Sequence, residues 1–124
     1  MGGTTRKQIA YLSENRYIEI LQKHRGVIIG LSAGAINLAK KSLIISYEKN
    51  WEAVLYNGIG LIDKTIFPHF EIDNKENIKE LKKLSANLEI YGMCDNAAII
   101  EKNNETIMLG EIYKIHFGKI EKIN

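Results

Sequence analysis

The stretch Val27-Ile28-Ile29-Gly30-Leu31-Ser32-Ala33-Gly34-Ala35 decides how this chain is read. Val27–Ile29 is too short for a helix, and its β-branched residues predict a buried strand. Ala33–Lys41 is rich in small residues and predicts a helix. The junction carries the G-x-S-x-G spacing in the strand–turn–helix context that gives the pattern meaning. A strand turning abruptly into a helix forces its junction residue into a strained conformation. Gly30 and Gly34 are expected to remove side chains that would collide there. The Ser32 hydroxyl is then presented at the end of the strand. The N–H of Ala33 and the positive end of the helix face the same space, where an oxyanion could form. A small-residue turn that merely packs tightly is the inert alternative.

Outward from the elbow, residues 5–23 predict a helix with a break near Ser13–Asn15, ended by Gly26. Leu43–Ile45 predicts a strand, and 46–66 a mixture of loop and short strand. Residues 74–86 predict an amphipathic helix with Ile78, Leu81 and Leu84 on its apolar face. Short β patterns follow at Leu88–Tyr91, Ala97–Glu101, Thr106–Leu109 and Glu111–Phe117, with Asn103-Asn104 as a turn. The order is α/β, in one domain spanning 1–124.

Composition narrows the function classes. Hydrophobic residues make up 45% of the 124, and the net charge is +2, from 17 Lys+Arg against 15 Asp+Glu. Disorder is disfavoured, and no basic footprint for nucleic acid exists. No apolar run approaches the ~20 residues that cross a bilayer, and no signal-peptide core follows the N-terminus. The single cysteine, Cys94, rules out an internal disulfide and a cysteine-only zinc site, and reads as a buried small residue. A cytoplasmic chain that needs no cofactor or metal is expected. Trp51, Tyr56 and Phe67 are expected to pack the core or a pocket wall.

A serine nucleophile needs a base. His24 ends a helix and reads as a cap; His116 sits in an alternating strand and reads as a surface or edge position. His69 lies in Ile66-Phe67-Pro68-His69-Phe70, where proline fixes the preceding backbone and aromatic residues flank the imidazole. Alone, that pattern is equally compatible with a histidine satisfying a local hydrogen bond.

Gly30-Leu31-Ser32-Ala33-Gly34-Ala35 with Asn37-Leu38-Ala39 resembles the nucleophile motif of the dipeptidase E and cyanophycinase family of serine peptidases. Pro68-His69-Phe70 resembles the family's histidine motif, and its histidine lies 37 residues after Ser32, as in dipeptidase E. Gly2-Gly3-Thr4-Thr5 is similar to its Gly-Gly-Asn-Thr motif, and Tyr91–Ile100 with Gly110-Glu111-Ile112-Tyr113 resembles its C-terminal strands. The resemblance implies a class I glutamine amidotransferase-like fold: a partial three-layer sandwich with a mostly parallel central sheet and a β-rich C-terminal end. It implies a Ser–His–acid triad in which Ser32 attacks and His69 relays the proton. Glu48 falls where dipeptidase E has its acid, allowing one inserted residue; Asp95 is the second choice, near the substrate's amino end, and Asp63 the third. Ala33 with Gly2 and Gly3 would form the oxyanion hole. Dipeptidase E grips an N-terminal aspartate with an arginine downstream of its histidine. Here Lys75 is the nearest cation, and lysine lacks the bidentate fork.

The resembled family carries a long portion ahead of its Gly-Gly motif, whereas this chain begins at it. A partial domain is therefore expected, forming homo-oligomers or pairing with a complementing N-terminal segment. The leading expectation is a serine peptidase acting on small peptides through an acyl-enzyme. The alternative is a catalytically inactive, truncated scaffold that at most binds or assembles. An esterase on another α/β fold is a weaker third reading, since its histidine would come much later in the chain.

Overall fold

The structure is a computed structural model that describes residues 4–46 and 50–124. The N-terminal layer is α1 (Thr5–Glu14) and α2 (Tyr17–Lys23), separated at Asn15–Arg16, where Arg16 takes φ 58. That break falls beside the one expected from sequence. The chain then runs through 27–31 into α3 (Ala33–Leu38), and β1 (Lys41–Ser46) pairs with β2 (Glu52–Asn57) as a hairpin.

The central sheet has the order β3-β4-β7-β8, built from β3 (Thr65–Pro68), β4 (Ile90–Met93), β7 (Ile112–His116) and β8 (Lys119–Lys122). Helix α4 (Lys75–Leu84) crosses between β3 and β4, and a separate hairpin of β5 (Ala98–Lys102) and β6 (Glu105–Leu109) follows β4. Asn74 caps α4 by accepting from the Asn77 N–H. Asn103 and Asn104, at φ 51 and 65, make the tight turn between β5 and β6.

The expectation of a mostly parallel sheet is not met. Only β3 and β4 pair in parallel, while β4–β7 and β7–β8 are antiparallel. The reason lies in the connections. A crossover helix can join parallel strands, whereas the two-residue Phe117-Gly118 turn can only reverse the chain. Phe117 and Gly118 both take positive φ, 50 and 71, as such a turn demands.

Successive residues of the central strands face opposite sides. Phe67, Ile90 and Ile115 join Leu43, Ile45, Phe70 and Leu81 in one core; Ile66, Tyr91 and Ile112 form another. Helix α4 and the β1–β2 hairpin supply the first, with Ile78 and Leu84 packed against it as the helical spacing predicts. Ala35 of α3, Ile99 and Met108 pack against the second. Gly92 lets the Phe70 ring lie flat on β4, since a Cβ there would come within 2.7 Å of that ring. Asn37 is fully buried and well partnered. It donates to Thr5 O and Gln8 Oε1 at 2.9 and 2.8 Å and accepts from the Tyr56 hydroxyl at 2.9 Å. Burial foremost pushes that phenol up to about 12.

The segment Val27–Ile29 departs most from expectation. It forms no strand, and Val27 and Ile29 are 86% and 88% exposed. A β-branched run becomes a strand only when a neighbour completes its ladder, and among the described residues none lies beside it. No helix among the described residues is long and apolar enough to cross a membrane.

Candidate active site

Three chain reversals converge on one point. The first is the elbow. Ser32 stands just before α3 with φ 50 and ψ −111, a conformation that L-residues avoid and that costs on the order of 1–3 kcal/mol. Gly30 is required for it: a Cβ there would meet Gly34 C and O and Ala35 N at 2.7 Å. Gly34, expected to share this duty, does not, because nothing described lies within 4 Å of a Cβ placed on it.

The second and third reversals end the two parallel strands. Pro68 and Met93 are register partners on β3 and β4. The residues just beyond them therefore emerge side by side at the carboxyl ends, where open α/β sheets place their sites. His69 follows Pro68 directly and also takes a left-handed φ of 54. Asp95 lies in the turn Cys94-Asp95-Asn96-Ala97, closed by a bond from Ala97 N to Cys94 O at 3.2 Å. Asn96 supplies the positive φ of 66 at the turn's third position.

Ser32 Oγ lies 3.2 Å from His69 Nε2, and His69 Nδ1 lies 2.8 Å from Asp95 Oδ1. With Asp95 accepting from Nδ1–H, Nε2 is left as the ring's acceptor, facing the serine hydroxyl. The geometry suits proton removal from Oγ and its delivery to a leaving group. The His69 and Asp95 side chains are 67% and 77% exposed, so water screens their mutual attraction.

The sequence-predicted residues distribute as follows. Ser32, His69 and Asp95 come together. Asp95 thus sits on the imidazole, in the place of the orienting acid, rather than apart from it as a substrate contact. Glu48, Gly2 and Gly3 lie outside the described residues. Ala33 opens α3 and is buried, among the first N–H groups of a helix, which have no intrahelical acceptor. Lys75 is exposed at the start of α4 and lines neither cavity at the site; Asp63 is exposed in the loop before β3. His24 closes α2, its N–H bonded to Leu21 O, while His116 stacks on Phe117 at 3.9 Å with its Nδ1 3.7 Å from Glu89.

Two cavities flank the pair. One, of about 320 Å³, is lined by His69, Phe70, Glu71, Cys94 and Asp95. Cys94, read as a core residue, instead borders this cavity half-buried. Partial burial, then the nearby Glu111 carboxylate, push its thiol up, which keeps it protonated and a poor rival nucleophile. The other cavity, of about 160 Å³, is lined by Ser32, Ile36, Leu43, Ile44, Ile45, Phe67, Pro68, His69 and Asn77. Asn77 was not singled out from sequence. The available signal was a polar residue four positions before Leu81, on the helix's apolar face. No group of three or more metal-ligating side chains occurs among the described residues.

Fold and elbow place the chain among the α/β proteins that carry a serine on an extended-to-helix turn. A model of peptidase family S51 matches residues 1–109, and the chain belongs to that family, serine peptidases of the dipeptidase E and cyanophycinase type. No curated protein and no solved structure shows significant similarity to the chain.

Proposed function

We propose that the chain is a serine-type peptidase hydrolysing small peptides through an acyl-enzyme, with Ser32 as nucleophile, His69 as general base and acid, and Asp95 as the residue that orients the imidazole. The carrying observation is the run of contacts from Ser32 Oγ to His69 Nε2 and from His69 Nδ1 to Asp95 Oδ1. Attack of Oγ on the scissile carbonyl passes its proton to Nε2. The tetrahedral oxyanion is held by the Ala33 N–H, and collapse expels the amine, which takes the proton from Nε2. Water then repeats the sequence on the acyl ester and regenerates the serine. A second donor from Gly2 or Gly3 belongs to the same proposal; losing one such donor typically lowers the rate by about 100–1,000-fold. The chemistry asks for no metal or cofactor.

The strained backbone at both Ser32 and His69 favours this reading over an inert scaffold, because such strain persists where surrounding structure is built to hold a functional geometry. The test is labelling with a fluorophosphonate probe. The chain is expected to be labelled and Ser32→Ala to be silent. Well-folded, unlabelled chain would instead support the inactive scaffold, and cleavage of acyl esters without peptide turnover an esterase.

A further inference from the structure

Two buried asparagines behave differently. Asn37, wholly buried, has partners for its amide nitrogen and its oxygen. Asn77 is 4% exposed, yet its Oδ1 has no hydrogen-bond partner among the described residues. Folded proteins pair nearly all such atoms, so an orphan of this kind asks for an explanation. Its position supplies one. Asn77 lines the cavity that opens at Ser32 and His69, with Ile36, Ile45 and Phe67 among the apolar walls.

We infer that this cavity receives the side chain of the residue whose carbonyl Ser32 attacks, and that Asn77 selects a carboxamide, the side chain of asparagine or glutamine. At about 160 Å³ the space is well below the ~300 Å³ of a pocket for a whole drug-sized ligand, and fits one side chain. The residue bearing the scissile carbonyl must lie against the nucleophile, so its side chain is the one nearest this opening. An apolar side chain would fill the walls but leave the Asn77 oxygen unpaired. A carboxylate would enter a cavity with no cationic side chain among its described lining residues, and a buried unpaired charge is strongly disfavoured. A carboxamide satisfies both parts. Its methylene lies on the walls, its N–H donates to Asn77 Oδ1, and its carbonyl can accept from the Asn77 amide nitrogen. The match survives rotation of either amide, because each end carries a donor and an acceptor.

The inference rests on the peptidase reading for its reaction, but binding alone tests it. The full chain and its Asn77→Leu variant are titrated by heteronuclear NMR with the N-acetyl amides of asparagine, glutamine, leucine and aspartate. The unaltered chain is expected to bind the better of the two carboxamides about 10-fold to 100-fold more tightly than the leucine or aspartate compound. Asn77→Leu is expected to reverse the preference toward leucine. Equal affinity for all four, tighter binding of leucine or aspartate, or no binding overturns the inference; so does an Asn77→Leu protein that keeps the carboxamide preference. If that variant does not fold, the ranking on the unaltered chain decides alone. Fluorophosphonate labelling in parallel separates the two claims. A labelled chain without carboxamide preference sinks the pocket and leaves the peptidase, while an unlabelled chain that prefers carboxamides does the opposite.

Discussion

Asp95 Oδ1 sits 2.8 Å from His69 Nδ1 although 26 residues separate them in sequence. An acceptor on Nδ1 holds the imidazole in the tautomer whose Nε2 can take a proton from Ser32. Asp95→Asn substitutes an amide that can offer a donor where an acceptor is needed. Steady-state turnover of a small peptide is expected to fall by about 10²–10⁴-fold, the lower end reflecting solvent screening at so exposed a pair. Glu48→Gln is expected to lower turnover far less. The reverse ranking would move the acid to Glu48.

What the sequence disclosed, and what it hid, follows from the range of the interactions involved. The elbow was legible because its chemistry is local: Gly30, Ser32 and the start of α3 are neighbours in the chain. The Asn103-Asn104 turn and the Asn74-capped helix were legible for the same reason. His69 stood out through Pro68 and its aromatic flanks, again within a few residues. Asp95 ranked second because its claim depends on the parallel pairing of Pro68 with Met93, a contact made only after α4 has crossed between their strands. Val27–Ile29 misled because strand propensity speaks of a neighbour that no described residue provides. The parallel character of the sheet was overstated because β7 and β8 join through a tight turn that permits only reversal.

The two glycines of the elbow make unequal demands. A Cβ at position 30 would lie 2.7 Å from backbone atoms of Gly34 and Ala35, which cannot swing aside as a side chain does. Gly30→Ala is therefore expected to push Ser32 away from His69 and abolish fluorophosphonate labelling while Gly34→Ala keeps it. The alanine at 34 is also expected to stabilise the chain by about 0.5–1 kcal/mol, since glycine within a helix loses more conformational entropy on folding. Rates of labelling and urea midpoints check both halves. Equal tolerance at the two positions would show that the elbow is looser than its geometry states.

Acid and base act on stability through the cluster of Glu89, Tyr91, Lys114 and His116. Burial works to raise the Glu89 carboxyl, but bonds to the Tyr91 hydroxyl and to Lys114 Nζ at 2.9 Å outweigh it and hold the group below its ordinary 4.5. As the pH drops under about 4.5 the unfolded chain takes up this proton before the folded one does, so stability is lost on the acid side. Tyr91 behaves oppositely. Burial foremost, then Glu89, push its phenol up from 10.0, so the unfolded chain ionises first and stability falls as the pH climbs past about 10. Glu89→Gln removes the acid contribution and relieves Tyr91 of a negative neighbour. Urea midpoints measured across pH are expected to form a plateau that Glu89→Gln flattens at both ends. An unaltered acid limb in that variant would assign acid sensitivity to other carboxylates.

The segment from Val27 to Leu31 makes the last prediction. It is extended, exposes Val27, Ile29 and Leu31, and pairs with no strand among the described residues. Unpaired backbone N–H and C=O groups flanked by apolar side chains are a template for another extended chain. At micromolar concentration the chain is expected to self-associate along this edge, with a weight-average mass that rises with concentration in sedimentation equilibrium. Lysine blunts such edges, because pairing would confine its charge against apolar neighbours. Val27→Lys combined with Ile29→Lys is therefore expected to shift the population toward monomer without lowering the urea midpoint, since both side chains are already in water. Association that persists in the double variant would place the contact elsewhere, on the exposed faces of α1 and α2 around Tyr11 and Ile20.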